Sequence, residues 1–278
     1  MQVLTTIPEV RAARGAVSGS AGLVPTMGAL HEGHLTLVRR AREDNGCVFV
    51  SIFVNPTQFG PNEDFAAYPR DTERDLDLLR AENVDYVFMP PLEALYPDGF
   101  DTSVDVGLIS GPLEGLHRSG HFLGVSTVVL KLLNIVQPSR AYFGRKDAQQ
   151  LAVIQRLVRD LDVPVEIVPV DTVRESDGLA MSSRNVYLSP SERQAALVLW
   201  NALSLARELW TRGARDAEAF RRRMRELIEE EEAARIDYVS VADPQTLREV
   251  QRIQGPVLVS LAVRIGKTRL IDNITLGG

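Results

Sequence analysis

The sequence predicts an α/β protein: a doubly wound parallel sheet with helices on both faces, followed by a smaller α+β region. Three observations carry this. Residues 47–54 (CVFVSIFV) form an unbroken apolar, β-branched run, the pattern of a strand covered on both faces. Strand and helix signals alternate from about residue 23 to 170, as in successive βαβ units. After about Val173 the pattern turns to two helices and then short strands.

Taken in order, Leu23-Val24-Pro25 is the end of a short strand. Residues 35–43 have helical spacing at Leu35, Val38 and Arg42. The strand at 47–54 follows. Residues 70–83 read as a charged helix with a stripe of Leu76, Leu78 and Leu79, and 84–89 as a strand stopped by Pro90-Pro91. Residues 125–136 form an apolar helix ended by Pro138, then come a strand at 141–143, a helix at 148–161 and a strand at 165–170. Ser189-Pro190-Ser191-Glu192 starts a long helix with proline in its first turn, running to Trp210. A charged helix covers 217–233. Strands are expected at 238–241, 257–263 and 270–274, the last two joined by a hairpin turn at Ile265-Gly266-Lys267. The domain boundary is placed near 175, giving 1–175 and 176–278.

The chain has 278 residues, ample for a core, and a net charge of −6. That acidity argues against nucleic acid as a main partner, because phosphate backbones demand a basic face. The lone cysteine, Cys47, lies in an apolar run and reads as a small core residue of a reducing compartment. The first residues lack a basic start and an apolar core segment, and no apolar run reaches membrane-spanning length. A cytoplasmic protein with no membrane partner is expected. The basic residues are nearly all arginine; Lys131, Lys146 and Lys267 are the only lysines.

Ligands of such sheets bind beyond the carboxyl ends of the strands, at a switch point in strand order. The motifs fall on expected strand ends and loops. Met27-Gly28-Ala29-Leu30-His31-Glu32-Gly33-His34 turns from a strand through glycines into a helix beginning near His34. A helix N-terminus with unpaired N–H groups favours phosphate, the glycines permit close approach, and two histidines can donate to phosphate oxygens. Asn55 and Gln58 in Val54-Asn55-Pro56-Thr57-Gln58 can read substrate hydroxyl and carboxylate groups, although Asn-Pro is also ordinary turn chemistry. Gly144-Arg145-Lys146-Asp147 with Gln150 opens another helix; Lys146 places a point charge on a phosphate or simply stays solvated. Met181-Ser182-Ser183-Arg184 offers hydroxyls and a guanidinium fork. Glu114 to His121 is glycine-rich and could form a mobile cover. The histidine pairs His31/His34 and His117/His121 can be drawn as a zinc site, but no cysteine or carboxylate set completes one, and no residue is assigned to a metal.

These segments, PTMGALHEGH, SIFVNPTQF, EGLHRSGHF, FGRKDAQQL, DGLAMSSRN and RLIDN, resemble the pantoate–β-alanine ligase family across essentially the whole chain. The pair PTMGALHEGH and NPTQF is specific to that family; His-x-Gly-His alone marks a wider nucleotidyl-transferring superfamily. The resemblance implies a Rossmann-like, nucleotidyltransferase-like first domain, a smaller second domain closing over the site, and a homodimer. It implies ATP with Mg²⁺, and pantoate and β-alanine as substrates. Two half-reactions pass through pantoyl adenylate to pantothenate, AMP and pyrophosphate. It assigns Met27 to His34 to ATP, with His34 as proton donor and His31 beside it. Gly144, Arg145, Lys146 and Asp147 also fall to ATP, with Val173 at adenine and Met181, Ser182, Ser183 and Arg184 over the phosphates. His34, His31, Lys146 and Arg184 are the catalytic set. Gln58 and Gln150 hold pantoate, with Asn55, Tyr68, Glu114 and Arg118 at lesser pocket positions. Arg145 stands where the family usually has an acid, and Leu123 where a basic residue is common.

The residues and the resemblance agree on one requirement. A carboxylate and a triphosphate repel, so the site must supply cations. Two other readings keep the nucleotide site. One is a nucleotidyltransferase making a stable dinucleotide, which Gln58 and Gln150 argue against. The other is an ATP-sensing module without turnover, which would not need Lys146 and Arg184 beside both histidines.

Overall fold

Six short strands pair into one parallel sheet because their side chains are covered on both faces. In the computed structural model, which describes residues 1–61 and 63–277, these are β1 (Gln2–Leu4), β2 (Ala21–Thr26), β3 (Cys47–Ile52), β4 (Tyr86–Phe88), β5 (Arg140–Gly144) and β6 (Glu166–Val170). Their order is β1-β4-β3-β2-β5-β6. The chain winds outward from β2 through β3, then returns to place β5 on the other side of β2. The β2/β5 junction is therefore the switch point, where ligands of such sheets bind. Register sharpens this. β2 and β3 pair over six residues, from Ala21↔Cys47 to Thr26↔Ile52. β2 and β5 pair only at Gly22↔Arg140 and Leu23↔Ala141. The ladder stops well short of Thr26 and Gly144, so the carboxyl ends of the two strands are not paired with each other.

The helices are α1 (Ile7–Ala16), α2 (Glu32–Asp44), α3 (Thr72–Ala81), α4 (Leu92–Leu95), α5 (Glu114–His117), α6 (His121–Val136) and α7 (Ala148–Asp160), of which α2, α3, α6 and α7 are the expected ones. Val24, Val38, Ala41, Val48, Val50, Leu79, Val87 and Tyr142 share one core under α2 and α3. β1 and α1 were not expected. β1 is three residues long with one buried side chain, and α1 buries only Val10, too little apolar periodicity to register. α3 is shorter than expected because Asp71 caps it, its side chain accepting the Arg74 N–H. α6 begins four residues early, at a left-handed Gly120. Cys47 is buried in β3; burial, with the Asp85 carboxylate beside it, pushes its thiol up to about 11.

The chain divides into two units: Met1–Arg145 with Val153–Asp171, and Lys146–Ala152 with Thr172–Gly278. The second contains α8 (Pro190–Ala195), α9 (Leu197–Thr211), α10 (Ala217–Glu229) and the antiparallel sheet β7 (Ala234–Ala242), β8 (Val257–Ile265) and β9 (Thr268–Leu276), in that order. The single helix expected up to Trp210 is broken at Ala196. Ser189 and Glu192 form a reciprocal capping box at its start. Leu199, Leu203, Phe220, Met224, Val259, Leu261 and Val263 make the core of this unit. β8 and β9 are joined by the two-residue turn Gly266-Lys267, closed by the pair Ile265↔Thr268. No helix among the described residues is long and apolar enough to cross a membrane.

Candidate active site

The loop after β2 is held by side chains rather than left open. Thr26 Oγ1 donates to Ser51 O (2.7 Å) and accepts the Gly28 N–H (3.2 Å). Gly28 has φ +80°, and a Cβ there would lie 3.0 Å from Asp75 Oδ2 and 3.1 Å from Ile52 Cγ2. Only glycine takes this turn without strain. Asp75, on α3 and 1% exposed, accepts the next two amides: Ala29 N–H on Oδ2 and Leu30 N–H on Oδ1, both at 2.8 Å. Arg74 donates to Leu30 O (3.0 Å). A bidentate acceptor thus fixes the left-handed Ala29 (φ 51°) and delivers the chain to the start of α2.

α2 starts at Glu32, two residues before His34, because histidines cap it. His31 is the N-cap; its Nδ1 accepts the Gly33 N–H (3.1 Å), and His34 Nδ1 accepts the His31 N–H (3.3 Å). This is a capping box built from two imidazoles, whose rings lie 4.1 Å apart. The amides of Ala29, Leu30, His31 and Gly33 all have acceptors within the first unit, contrary to the expectation of N–H groups left for phosphate. The donors move to the rings. A neutral imidazole accepting at Nδ1 carries its proton on Nε2, so the cap selects the Nε2–H tautomer of both histidines. Glu32 is exposed and ion-paired to Arg39.

The amides after β3 form a second, polarised group. Asn55 Oδ1 accepts from Thr57 N–H (3.4 Å), Thr57 Oγ1 (2.9 Å) and Tyr96 OH (2.9 Å). Its Nδ2 therefore faces the other way, donating to Gln58 Oε1 (3.1 Å) and Gly124 O (3.2 Å). With its oxygen engaged, Gln58 presents its NH₂ group, which lies 3.2 Å from Met27 Sδ. Gly124 of α6 lets this turn come close; a Cβ there would be 2.4 Å from Thr57 O. The segment serves as turn and as donor at once.

Behind Gln58 lies a hydrogen-bonded chain that runs from buried His121 to a partly buried ion pair. His121 Nδ1 donates to Gln58 O (2.8 Å), its Nε2 accepts from Arg118 (2.9 Å), and Arg118 grips Glu63 with bonds of 2.6 and 2.8 Å. In the segment expected as a cover, Glu114 and His121 are buried while Leu116 is 78% exposed. Burial, then the Arg118 charge, pushes the His121 imidazole down to about 4 from 6.5. The unfolded chain takes up a proton at His121 below 6.5 that the fold refuses until about 4. Stability from this group is complete above that window and lost as pH falls through it, by about 3 kcal/mol. Thermal midpoints should drop across it more steeply for the wild type than for His121→Asn; equal slopes would remove this role.

In the second unit, Lys146 Nζ lies 3.7 Å from Asp147 Oδ1. Gln150 is half-buried and Gln149 buried. Residues 173–181 fold into a tight hairpin: Met181 N–H donates to Val173 O (3.0 Å) and Glu175 N–H to Leu179 O (2.8 Å). Ser182 caps the following 3₁₀ turn by accepting the Arg184 N–H (3.3 Å), which leaves its own hydroxyl proton to donate. In the first unit, Gly144 ends β5, and Arg145 pairs with Asp171 (3.0 Å) at an exposed position, a contact of little energy. Among the described residues no group of three or more His, Cys, Asp or Glu side chains gathers to hold a metal.

A parallel sheet whose switch point carries a histidine-capped helix has the architecture of the nucleotide-binding α/β enzymes. The profile of the family described as Pantoate-beta-alanine ligase matches residues 2–275. The chain belongs to that family. It is 60% identical over 276 residues to a pantothenate synthetase of Roseiflexus sp. (strain RS-1), covering 99% of each chain. It is 59% identical to that of Herpetosiphon aurantiacus, covering 99% of this chain and 100% of the relative. The solved pantothenate synthetase of Thermus thermophilus superposes with a TM-score of 0.94 at 48% identity over 99% of each chain. A pantoate-β-alanine ligase from Francisella tularensis, solved with β-γ ATP and β-alanine, gives 0.81 at 35% identity, over 99% of this chain and 97% of that one.

Sequence reasoning passed over Asp75, Tyr96 and the positioning role of His121. Asp75 carried a signal. It lies four residues before Leu79 on the apolar stripe of α3, where a carboxylate needs a buried partner. Tyr96 and His121 act through contacts 41 and 63 residues away, which no local spacing reveals.

Proposed function

We propose that the chain condenses pantoate with β-alanine, driven by ATP, through pantoyl adenylate. A pantoate carboxylate oxygen bonds to the α-phosphorus and the α–β phosphoanhydride breaks, releasing pyrophosphate. The amine of β-alanine then bonds to the acyl carbon, the acyl–phosphate C–O bond breaks, AMP leaves, and the amine gives up a proton. The observation that supports this reading is the double histidine cap, which leaves the proton of two neighbouring rings on Nε2, a donor suited to an anion. Nε2–H of His34 and His31 stabilises negative charge growing on the phosphates. Lys146 and Arg184 add positive charge, and the Gln58 NH₂ group and Gln150 hold pantoate. Most of the catalysis is positioning and charge neutralisation.

Magnesium enters with ATP as part of the substrate. Both oxygens of Asp75 are engaged by amides and Glu32 by Arg39, so neither carboxylate beside the loop is open to a resident ion. The reading also places the enzyme in the cytoplasm as a homodimer, which light scattering tests by giving twice the chain mass.

The deciding experiment is ATP–pyrophosphate exchange. Exchange should appear only with pantoate, and pantothenate with AMP should form on adding β-alanine, identified by mass. No pantoate-dependent exchange, or a dinucleotide product, overturns the reading.

A further inference from the structure

The motif Arg269-Leu270-Ile271-Asp272-Asn273 takes no part in the reaction as described, yet two of its polar residues are buried. Asp272 is 2% and Asn273 8% exposed. They are neighbours on β9, paired with Leu261 and Ser260 of β8. Successive strand residues point to opposite faces, so they serve different partners.

Asp272 shares the core face with Leu270 and Ile274. A carboxylate there is costly unless paired, and its partner is Arg174. The guanidinium meets both oxygens, at 2.6 and 2.9 Å. Its other contacts finish the clamp: Gly178 O at 3.1 Å, Asn273 O at 3.3 Å, and the Trp200 ring 4.0 Å away. Arg174 directly follows Val173 in the hairpin that leads into Ser182, Ser183 and Arg184. Asn273, on the other face, donates from Nδ2 to the backbone oxygen of Lys146 at 2.8 Å. The Asn273 N–H is itself bound to Asp272 Oδ1 at 2.7 Å, which couples the two arms.

We propose that Asp272 and Asn273 are positioning residues for adenylation: two consecutive residues of the last strand hold in one register the backbone of Lys146 and the loop carrying Arg184. Neither touches substrate. Both cations lie in segments of the second unit that are far apart in sequence, and this pair ties them together. The proposal rests on the assignment of Lys146 and Arg184 to the phosphates.

The test is a double-mutant cycle read by single-turnover adenylate formation, which follows rates over several decades. Asn273→Ala removes one donor and leaves the buried ion pair intact. It should lower kcat/KM for ATP by about tenfold, because small misplacements of a charge at the reacting centre are expensive, while the thermal midpoint stays near that of the wild type. In a Lys146→Ala background the same change should have no further effect. Arg174→Lys keeps the charge but loses the fork; its several-fold loss should vanish in an Arg184→Ala background. Unchanged kinetics in Asn273→Ala beside a crippled Lys146→Ala, or losses that multiply fully in the double variants, would overturn the anchor alone. Wild-type adenylation by Lys146→Ala would instead remove the phosphate role of Lys146, and with it this role of Asn273.

Discussion

Replacing His34 by alanine is expected to slow adenylate formation at least about a hundredfold, the usual result of deleting one transition-state donor. The side chain has two jobs. Its Nδ1 accepts the His31 N–H and so helps start α2, while in the proposed reaction Nε2–H donates to the developing charge. Alanine loses both, and loss of a cap costs about 1 kcal/mol by itself. His34→Gln separates them. His34 is the N3 residue of the box, where glutamine is an ordinary partner for the N-cap amide. Glutamine should therefore restore the thermal midpoint lost in His34→Ala without restoring the imidazole-dependent rate. Adenylation by His34→Ala within a few-fold of wild type would end the assignment. Full recovery in His34→Gln would mean that the ring matters only as a cap.

Asp75→Asn is the second change with a large expected effect. The carboxylate accepts two amides at 2.8 Å from the first turn of α3, where the helix N-terminus favours negative charge. Asparagine has one acceptor for these two donors. Its NH₂ group would be pressed against an N–H, so a charge-assisted bond is lost and a buried amide is left unpaired, together about 3 kcal/mol. Unfolding midpoints should fall by several degrees. Since Ala29 and Leu30 are set by this carboxylate, the histidine cap that follows them shifts too. The value of kcat/KM for ATP should drop by roughly ten- to a hundredfold. A variant with wild-type stability and unaltered ATP kinetics would show that the loop holds its shape without Asp75.

The two kinds of information in the chain differ in range. Elements with a long apolar repeat were legible. β3 is a buried run, and α9 and α10 declare their faces through Leu199, Leu203, Phe220 and Met224. Elements that bury one side chain, such as β1 and α1, were not. The motifs named the residues of the candidate site, but not the way they are held. His31 and His34 could be read as phosphate donors from composition and context. That each would also cap α2, and so carry a defined tautomer, depends on ring geometry and moved the helix start from His34 to Glu32. Leu76 and Leu79 were legible as a stripe, whereas Asp75 beside them looked like one more solvated acid. Asp272 and Asn273 were part of a matched motif without a stated task, because their partners Arg174 and Lys146 lie 98 and 127 residues away.

Cys47 has a practical consequence for following the enzyme in motion. The only thiol is buried and held in its protonated form by a value near 11, and it is the thiolate that reacts with alkylating dyes. The native chain should stay dark to maleimides near neutral pH and needs no cysteine-free background. A cysteine at Val186, 73% exposed and two residues beyond Arg184, would take a fluorophore alone and report when that loop changes its surroundings during turnover.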